Sequence, residues 1–239
     1  MRAMIGCITA AVSLWALDGS ALAQHGHARE AHVAPRDALR LLKEGNGRTV
    51  AGAPKCEVDR GKETRKLLAR GQKPHTIVLS CSDSRVPPEL VFDQGLGRLF
   101  VIRVAGNVLS PPNVASIEYG VEHLGARLIV VMGHESCGAV KATLETPEGK
   151  SAGSPSLDAL VASIRANLRS TKLSAADRED RLLRAAVRAN VDAVVKQLLV
   201  DSPLLKKLAL SGEVVVVPAI YGLESGAVEL WSELGVAKP

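Results

Sequence analysis

Four short segments stand out along the chain, because in each of them several apolar residues follow one another without alternating with polar ones. They cover residues 76–80, 99–104, 128–132 and 213–217. Their length and their content of Val and Ile are typical of strands buried on both faces, as in a parallel sheet covered by helices. We expect Pro218 to end the fourth strand, since proline lacks the N–H that a sheet ladder uses.

Segments of charged residues and leucines with helical spacing lie before, between and after these strands. They predict helices over residues 37–44, 62–69, 113–124, 157–168, 175–199 and 222–234. Gly45 and Gly71 follow the first two helices and are expected to end them. Alternation of strands and helices predicts an α/β fold with a central, mostly parallel β-sheet flanked by helices. At 239 residues and 46% hydrophobic content, the chain can bury the core of a single domain.

The amino-terminal segment has the organisation of a secretory signal peptide. Arg2 is followed by an apolar run over residues 3–17 and then by the small-residue pattern of residues 21–23. The apolar run ends at Asp18, so it is shorter than the roughly 20 residues that cross a membrane. We therefore predict cleavage after Ala23, a periplasmic or secreted mature protein, and no stable membrane anchor.

Residues 24–35 contain His25, His27 and His32 among small and charged residues, which predicts a flexible polar leader. A metal-scavenging tract is the alternative interpretation of these histidines. Residues 36–239 then form the folded domain.

Composition restricts the partners of this domain. The net charge is +5 and the pI is about 9.1, but the basic residues are scattered among acidic ones. Aromatic residues make up only 3% of the chain, too few for a base-stacking surface. We therefore expect no nucleic-acid partner, and a surface that attracts small anions.

Cysteine usage leaves two interpretations open. Cleavage removes Cys7 and leaves Cys56, Cys81 and Cys137 in an oxidising compartment, where thiols usually form disulfides. A disulfide between Cys81 and Cys137 is therefore one alternative, and a metal site is the other. Cys56 has no ligand-type neighbour, and we interpret it as a spare thiol or an intermolecular disulfide partner.

Two of the predicted strands are followed at once by polar residues of metal-ligand type. Residues 81–85 read Cys-Ser-Asp-Ser-Arg and residues 134–138 read His-Glu-Ser-Cys-Gly. In open α/β sheets, ligands bind beyond the carboxyl ends of the strands. His134 and Cys137 are three residues apart and can face one point, and Cys81 joins them if its strand is adjacent. Two cysteines and one histidine, with one open position for water or hydroxide, indicate a catalytic zinc site.

Asp83 and Arg85 strengthen the catalytic interpretation, because a simple disulfide has no use for them. A carboxylate held by a bidentate guanidinium stays ionised and can orient a zinc-bound hydroxide. Asp83 is also a good zinc ligand, and it can close the fourth position when Arg85 does not hold it.

The two motifs resemble those of the β-class carbonic anhydrases, and the similarity extends from about residue 38 to residue 230. Other matching segments are residues 41–48, 100–107, 116–121 and 221–226. The resemblance implies a carbonate dehydratase that reversibly hydrates CO2 to bicarbonate, with one Zn2+ per chain. It also implies self-association into a dimer or a dimer-built oligomer, with active sites near the subunit interfaces.

Further candidates have weaker support. Gln94 lies one residue before the position where some family members place a substrate-contacting glutamine. Gly138 is expected to start a helix after Cys137 and can present its backbone N–H to the substrate. Arg103 either faces the site or forms a salt bridge at the strand edge. His75 and His123 are candidate proton shuttles, or simply structural histidines.

Two other functions remain compatible with these motifs. The same zinc site can hydrolyse carbonyl sulfide or carbon disulfide, as relatives of the family do. Alternatively, the chain is a non-catalytic zinc-binding or redox module, although metal storage alone does not require Asp83 and Arg85.

Overall fold

The computed structural model describes residues 32–55, 60–169, 171 and 178–231. The predicted signal peptide, most of the predicted leader, Cys7 and Cys56 lie outside these residues. Within the described ranges, no helix has both the length and the apolar character needed to cross a membrane.

A five-stranded sheet forms the centre of the domain, with strand order β2-β1-β3-β4-β5. Its strands are β1 (Thr76–Ser80), β2 (Leu99–Arg103), β3 (Leu128–His134), β4 (Val215–Tyr221) and β5 (Val228–Leu230). β1 to β4 are parallel to one another, and β5 pairs antiparallel with β4 at one edge. The predicted α/β class with a mostly parallel sheet is confirmed.

Helices connect and cover the strands. They are α1 (Pro35–Val50), α2 (Lys62–Leu68), α3 (Pro88–Val91), α4 (Pro111–Glu122), α5 (Gly138–Glu145), α6 (Pro155–Leu168), α7 (Glu179–Asp201) and α8 (Pro203–Leu210). A short 3₁₀ turn over Ala105–Asn107 follows β2. The sequence pattern had not predicted α3 or α8.

Each face of the sheet has its own apolar core, which explains the continuous hydrophobic pattern of the strands. On one face, Ile77 and Ile129 belong to a cluster that includes residues of α7. On the other face, Val78 and Val130 belong to a cluster that includes residues of α1. All four side chains are fully buried. Because neighbouring residues of one strand point to opposite faces, both must be apolar when both faces are covered.

Gly45 does not end the first helix as predicted, since α1 continues to Val50. A Cβ atom at Gly45 would lie 1.8 Å from the carbonyl oxygen of Phe92. The glycine therefore allows α1 to pack closely against the backbone that follows α3, and it acts through packing rather than as a stop signal.

Pro218 also does not end the fourth strand, which is shifted from the predicted residues 213–217 and runs to Tyr221. The carbonyl oxygen of Pro218 accepts a hydrogen bond from the N–H of Trp231, just beyond the end of β5. The nitrogen of Pro218 faces the same side, because the N and O of one strand residue point together. The missing N–H is therefore on the side away from β3 and costs the β3–β4 ladder nothing.

The helix predicted over residues 222–234 is wrong for the described part of that range, which ends at Trp231, because the chain there forms a turn and then β5. Gly226 has a φ of 68°, a left-handed conformation that suits glycine. Buried Asn46 of α1 holds this segment, because its amide nitrogen donates to Gly226 O at 2.8 Å and its oxygen accepts from Val228 N at 2.9 Å. A contact from the other end of the chain thus overrides the local helical spacing.

Candidate metal centre

Three ligand-type side chains meet beyond the carboxyl ends of two adjacent strands. Cys81 directly follows β1, His134 is the last residue of β3, and Cys137 caps the start of α5. β1 and β3 are hydrogen-bonded neighbours, so the adjacency required for Cys81 to join the other two is present. The two sulfurs and a ring nitrogen of His134 lie within 4.8 Å of one another, and all three residues are buried.

The orientation of the His134 ring fits a metal. Nδ1 lies 2.8 Å from the carbonyl oxygen of Glu135. A carbonyl can only accept, so Nδ1 carries the proton and Nε2 carries a lone pair. Within the described residues, Nε2 is buried without a hydrogen-bond partner. A buried lone pair facing two sulfurs is the donor set that a soft or borderline metal ion requires.

The two thiols have opposite pKa shifts. A hydrogen bond from Cys137 is the main cause that lowers the pKa of Cys81, and the backbone N–H groups of Asp83 and Gly106 lower it further. The same hydrogen bond and burial raise the pKa of Cys137. The two sulfurs are therefore linked through one hydrogen bond, and their protonation belongs to the pair rather than to either cysteine alone. Both cysteines are free rather than joined in a disulfide.

Asp83 and Arg85 form the bidentate pair that the sequence suggested. Nε of Arg85 donates to Oδ1 of Asp83 at 2.9 Å, and Nη2 donates to Oδ2 at 2.7 Å. The Arg85 guanidinium holds the pKa of Asp83 well below its usual range. Oδ2 of Asp83 lies 3.8 Å from Nε2 of His134, so an ionised carboxylate borders the ligand cluster.

Arg103 faces the site, which was one of its two interpretations from the sequence, and it contacts backbone groups there. Its Nε donates to the carbonyl oxygen of Cys81 at 2.9 Å, and its Nη2 donates to the carbonyl oxygen of Asp83. From the end of β2, it therefore holds the backbone of the first motif. The only signal in the sequence was a charged residue at the end of an apolar strand.

The other predicted site residues have different surroundings. The side-chain amide of Gln94 bonds to Phe92 O at 2.9 Å, to Leu41 O at 3.3 Å and to Nε2 of His75 at 3.1 Å. His75 precedes β1, at the end of that strand opposite to the ligands. A Cβ atom at Gly138 would meet nothing within 4 Å, so there is open space at the start of α5.

Two candidate histidines are engaged in local contacts. His75 is buried and also bonds Thr76 through Nδ1 at 2.8 Å. The ring of His123 lies 4.8 Å from that of Tyr119, at the end of α4. Both contacts suit the structural interpretation of these histidines.

A family model described as carbonic anhydrase matches residues 76–228, which include both ligand motifs. A carbonic anhydrase from Mycolicibacterium smegmatis is 38% identical over 201 residues, which are 84% of this chain and 95% of that protein.

Solved structures agree with this match. A Coccomyxa β-carbonic anhydrase in complex with acetazolamide has a TM-score of 0.65 and 26% identity, over 75% of this chain and 82% of that one. A tetrameric β-carbonic anhydrase from Sordaria macrospora has a TM-score of 0.63 and 26% identity, over 70% of this chain and 85% of that one. The chain therefore belongs to the β-class carbonic anhydrase family.

Proposed function

We propose that the chain binds one zinc ion through Cys81, His134 and Cys137 and catalyses the reversible hydration of CO2 to bicarbonate and a proton. The observation that carries the proposal is the buried lone pair of His134, which converges with two sulfurs beside the carboxylate of Asp83. Two sulfurs and an imidazole suit zinc, and three protein ligands leave one tetrahedral position open for the reaction.

Zinc bound here supplies the Lewis acidity that makes water a nucleophile near neutral pH. Asp83 remains ionised beside Arg85, so it accepts a hydrogen from the attacking oxygen and directs that oxygen at the CO2 carbon. Arg85 keeps the carboxylate in one orientation through its two parallel N–H bonds.

Gly138 contributes through its backbone in this proposal. It is the first residue of α5, and N–H groups in the first turn of a helix have no partner within the helix. The open space beside it allows an oxygen of the substrate to approach. The N–H and the positive end of the helix then favour the charge that develops on bicarbonate.

Export and self-association are part of the proposal and rest on the sequence. The charged, apolar and small-residue regions of residues 1–23 support cleavage after Ala23 and a periplasmic or secreted enzyme. Mass spectrometry of the mature protein from a periplasmic fraction should give an amino terminus at Gln24. Light scattering should give a dimer or a multiple of it. An intact amino terminus would contradict the proposed cleavage, and a monomer would contradict the proposed self-association.

The proposed activity is tested by stopped-flow CO2 hydration with zinc-loaded protein. Wild type should be active with one zinc per chain, and Cys137→Ser should lose both zinc and activity. Asp83→Asn should keep zinc but lose roughly 100-fold in rate. Asp37→Asn, a carboxylate on the exposed side of α1, is the control and should behave as wild type. Wild type that holds zinc but is inactive from pH 6 to 9 would instead indicate a zinc-binding module.

A further inference from the structure

Asn190 is a polar side chain in an apolar part of α7. It is fully buried between Ala189 and Val191, and a buried amide costs free energy unless it is hydrogen-bonded. Its Nδ2 donates to the carbonyl oxygen of Gly106 at 2.8 Å. Its Oδ1 accepts from Nδ2 of Asn167, on α6, at 2.8 Å. Because a carbonyl oxygen only accepts, the amide nitrogen of Asn190 must face Gly106, and its orientation is fixed.

Gly106 connects this amide to the ligand cluster. Its N–H donates to the sulfur of Cys81 at 3.4 Å. Its φ of 63° is left-handed, and a Cβ atom there would lie 2.8 Å from Cδ1 of Ile164. A side chain at this position would be strained, so glycine suits it, and its backbone lies close to Ile164 of α6. Cys81 and Asn190 are thus linked through one backbone residue, which is hydrogen-bonded at both its N–H and its C=O.

We propose that Asn190 is a positioning residue of the metal centre, which holds Gly106 so that its N–H meets the sulfur of Cys81. The inference rests on the proposed role of Cys81 as a metal ligand. The N–H bond fixes the direction of the sulfur and offsets part of its negative charge in the metal complex. Groups that orient metal ligands in this way typically change metal affinity by about 10- to 100-fold when they are removed.

The test compares two substitutions of buried residues in α7. Asn190→Leu keeps a side chain branched at Cγ, although a bulkier one, and removes both hydrogen bonds. Val194→Ala is the matched control, because Val194 is also fully buried but belongs to the apolar core that contains Ile77 and Ile129. Zinc affinity is measured at a single pH by competition with a chromophoric chelator. Asn190→Leu should bind zinc about 10-fold more weakly than wild type, and Val194→Ala should bind it as wild type does.

Cobalt supplies a second readout that a loss of stability does not change. In the Co2+-substituted protein, the sulfur-to-cobalt charge-transfer band should shift in Asn190→Leu and stay in place in Val194→Ala. Equal zinc affinities and equal cobalt spectra in the two variants would overturn the inference and leave the proposed function intact.

A milder variant covers the case in which Asn190→Leu does not fold. Asn167→Ala leaves the contact between Asn190 and Gly106 in place but removes the donor that orients Asn190. It should weaken zinc binding in the same direction by a smaller factor, and unchanged affinity would overturn the inference. Failure of the wild-type chain to bind zinc would overturn the proposed function and this inference with it.

Discussion

The carboxylate of Asp83 has two possible partners, and Arg85 decides between them. With Arg85 present, both oxygens of Asp83 are hydrogen-bonded to the guanidinium, and Oδ2 remains 3.8 Å from His134 Nε2. Arg85→Met frees the carboxylate to take the fourth position on zinc. We expect this variant to lose roughly 100-fold in CO2 hydration while it retains zinc at least as tightly as wild type.

The double variant Asp83→Asn with Arg85→Met distinguishes two effects of Arg85→Met. One is binding of Asp83 to zinc, and the other is the simple loss of the Arg85 charge. It has no free carboxylate, so its zinc affinity should not exceed that of wild type. Stopped-flow assays and chelator competition measure the two effects on the same samples. Full activity in Arg85→Met would show that Arg85 is not needed to hold Asp83.

Arg103 acts on the same motif through its backbone. A guanidinium can donate to the carbonyl oxygens of Cys81 and Asp83 at once, whereas an ammonium group is a point donor on a flexible stem. We expect Arg103→Lys to release zinc to a chelator about 10-fold faster than wild type. Arg98→Lys, an exposed change at the other end of β2, is the control. Identical release rates in the two variants would contradict this role.

At the scale of elements, α7 is tied to β5 by a row of charges. Arg184 and Arg188 both donate to Glu229 of β5, at 2.6 and 2.7 Å, and Arg184 also bonds Glu135 in the second motif. The guanidinium of Arg188 lies 4.1 Å from the centroid of the Trp231 ring. This row connects the short edge strand to the segment that carries His134 and Cys137.

This row predicts a pH-dependent contribution to stability. Arg188 is the main cause that lowers the pKa of Glu229, so folding favours the ionised form. The contribution is fully present above the unfolded pKa of about 4.3 and is lost as pH falls below it. Glu229→Gln should lower the free energy of unfolding at pH 7 by at most about 1 kcal/mol, since the pair is half-exposed.

Urea unfolding at pH 7 and pH 3 measures the effect of Glu229→Gln. The difference from wild type should shrink towards zero at the lower pH. Glu63→Gln, on the exposed helix α2, is the control for a general change in net charge. A difference that is the same at both pH values would show that the Glu229 charge does not stabilise the fold.

The sequence predicted well the elements whose structure is determined by the local pattern of their own residues. β1 matches its predicted bounds because both of its faces are buried, and its three central positions are apolar in succession. The errors arose where a distant contact decides the structure. The close approach of Phe92 explains Gly45 within a helix, and the amide of Asn46 explains the hairpin that leads to β5.

The residues of the site also fall into those that the sequence predicts and those that it does not. Cys81, His134 and Cys137 could be predicted because each follows or ends a strand, and their residue types already indicate a metal. Arg103 and Asn190 could not, because they act on backbone groups of residues 20 and 84 positions away. No local pattern reports which carbonyl oxygen a distant side chain will reach.

At the scale of the whole molecule, the metal centre joins parts of the chain that are far apart in sequence. Its ligands come from the ends of β1 and β3 and the start of α5, and the 3₁₀ turn after β2 contacts Cys81. Without a metal, these elements bring together two buried sulfurs and a histidine nitrogen that has no hydrogen-bond partner among the described residues. Metal binding should therefore relieve a cost that the folded chain otherwise carries.

Zinc should consequently stabilise the whole domain, because the unfolded chain has no assembled site. Free zinc at 100 times its dissociation constant should add about 2.7 kcal/mol to the free energy of unfolding. Denaturant unfolding under reducing conditions, with excess chelator or with zinc, measures this increment. Cys137→Ser should lose most of it. Val140→Ala, also buried in α5, should weaken both forms equally and keep the increment. Equal stability of wild type with zinc and with chelator would mean that zinc does not bind the folded chain preferentially.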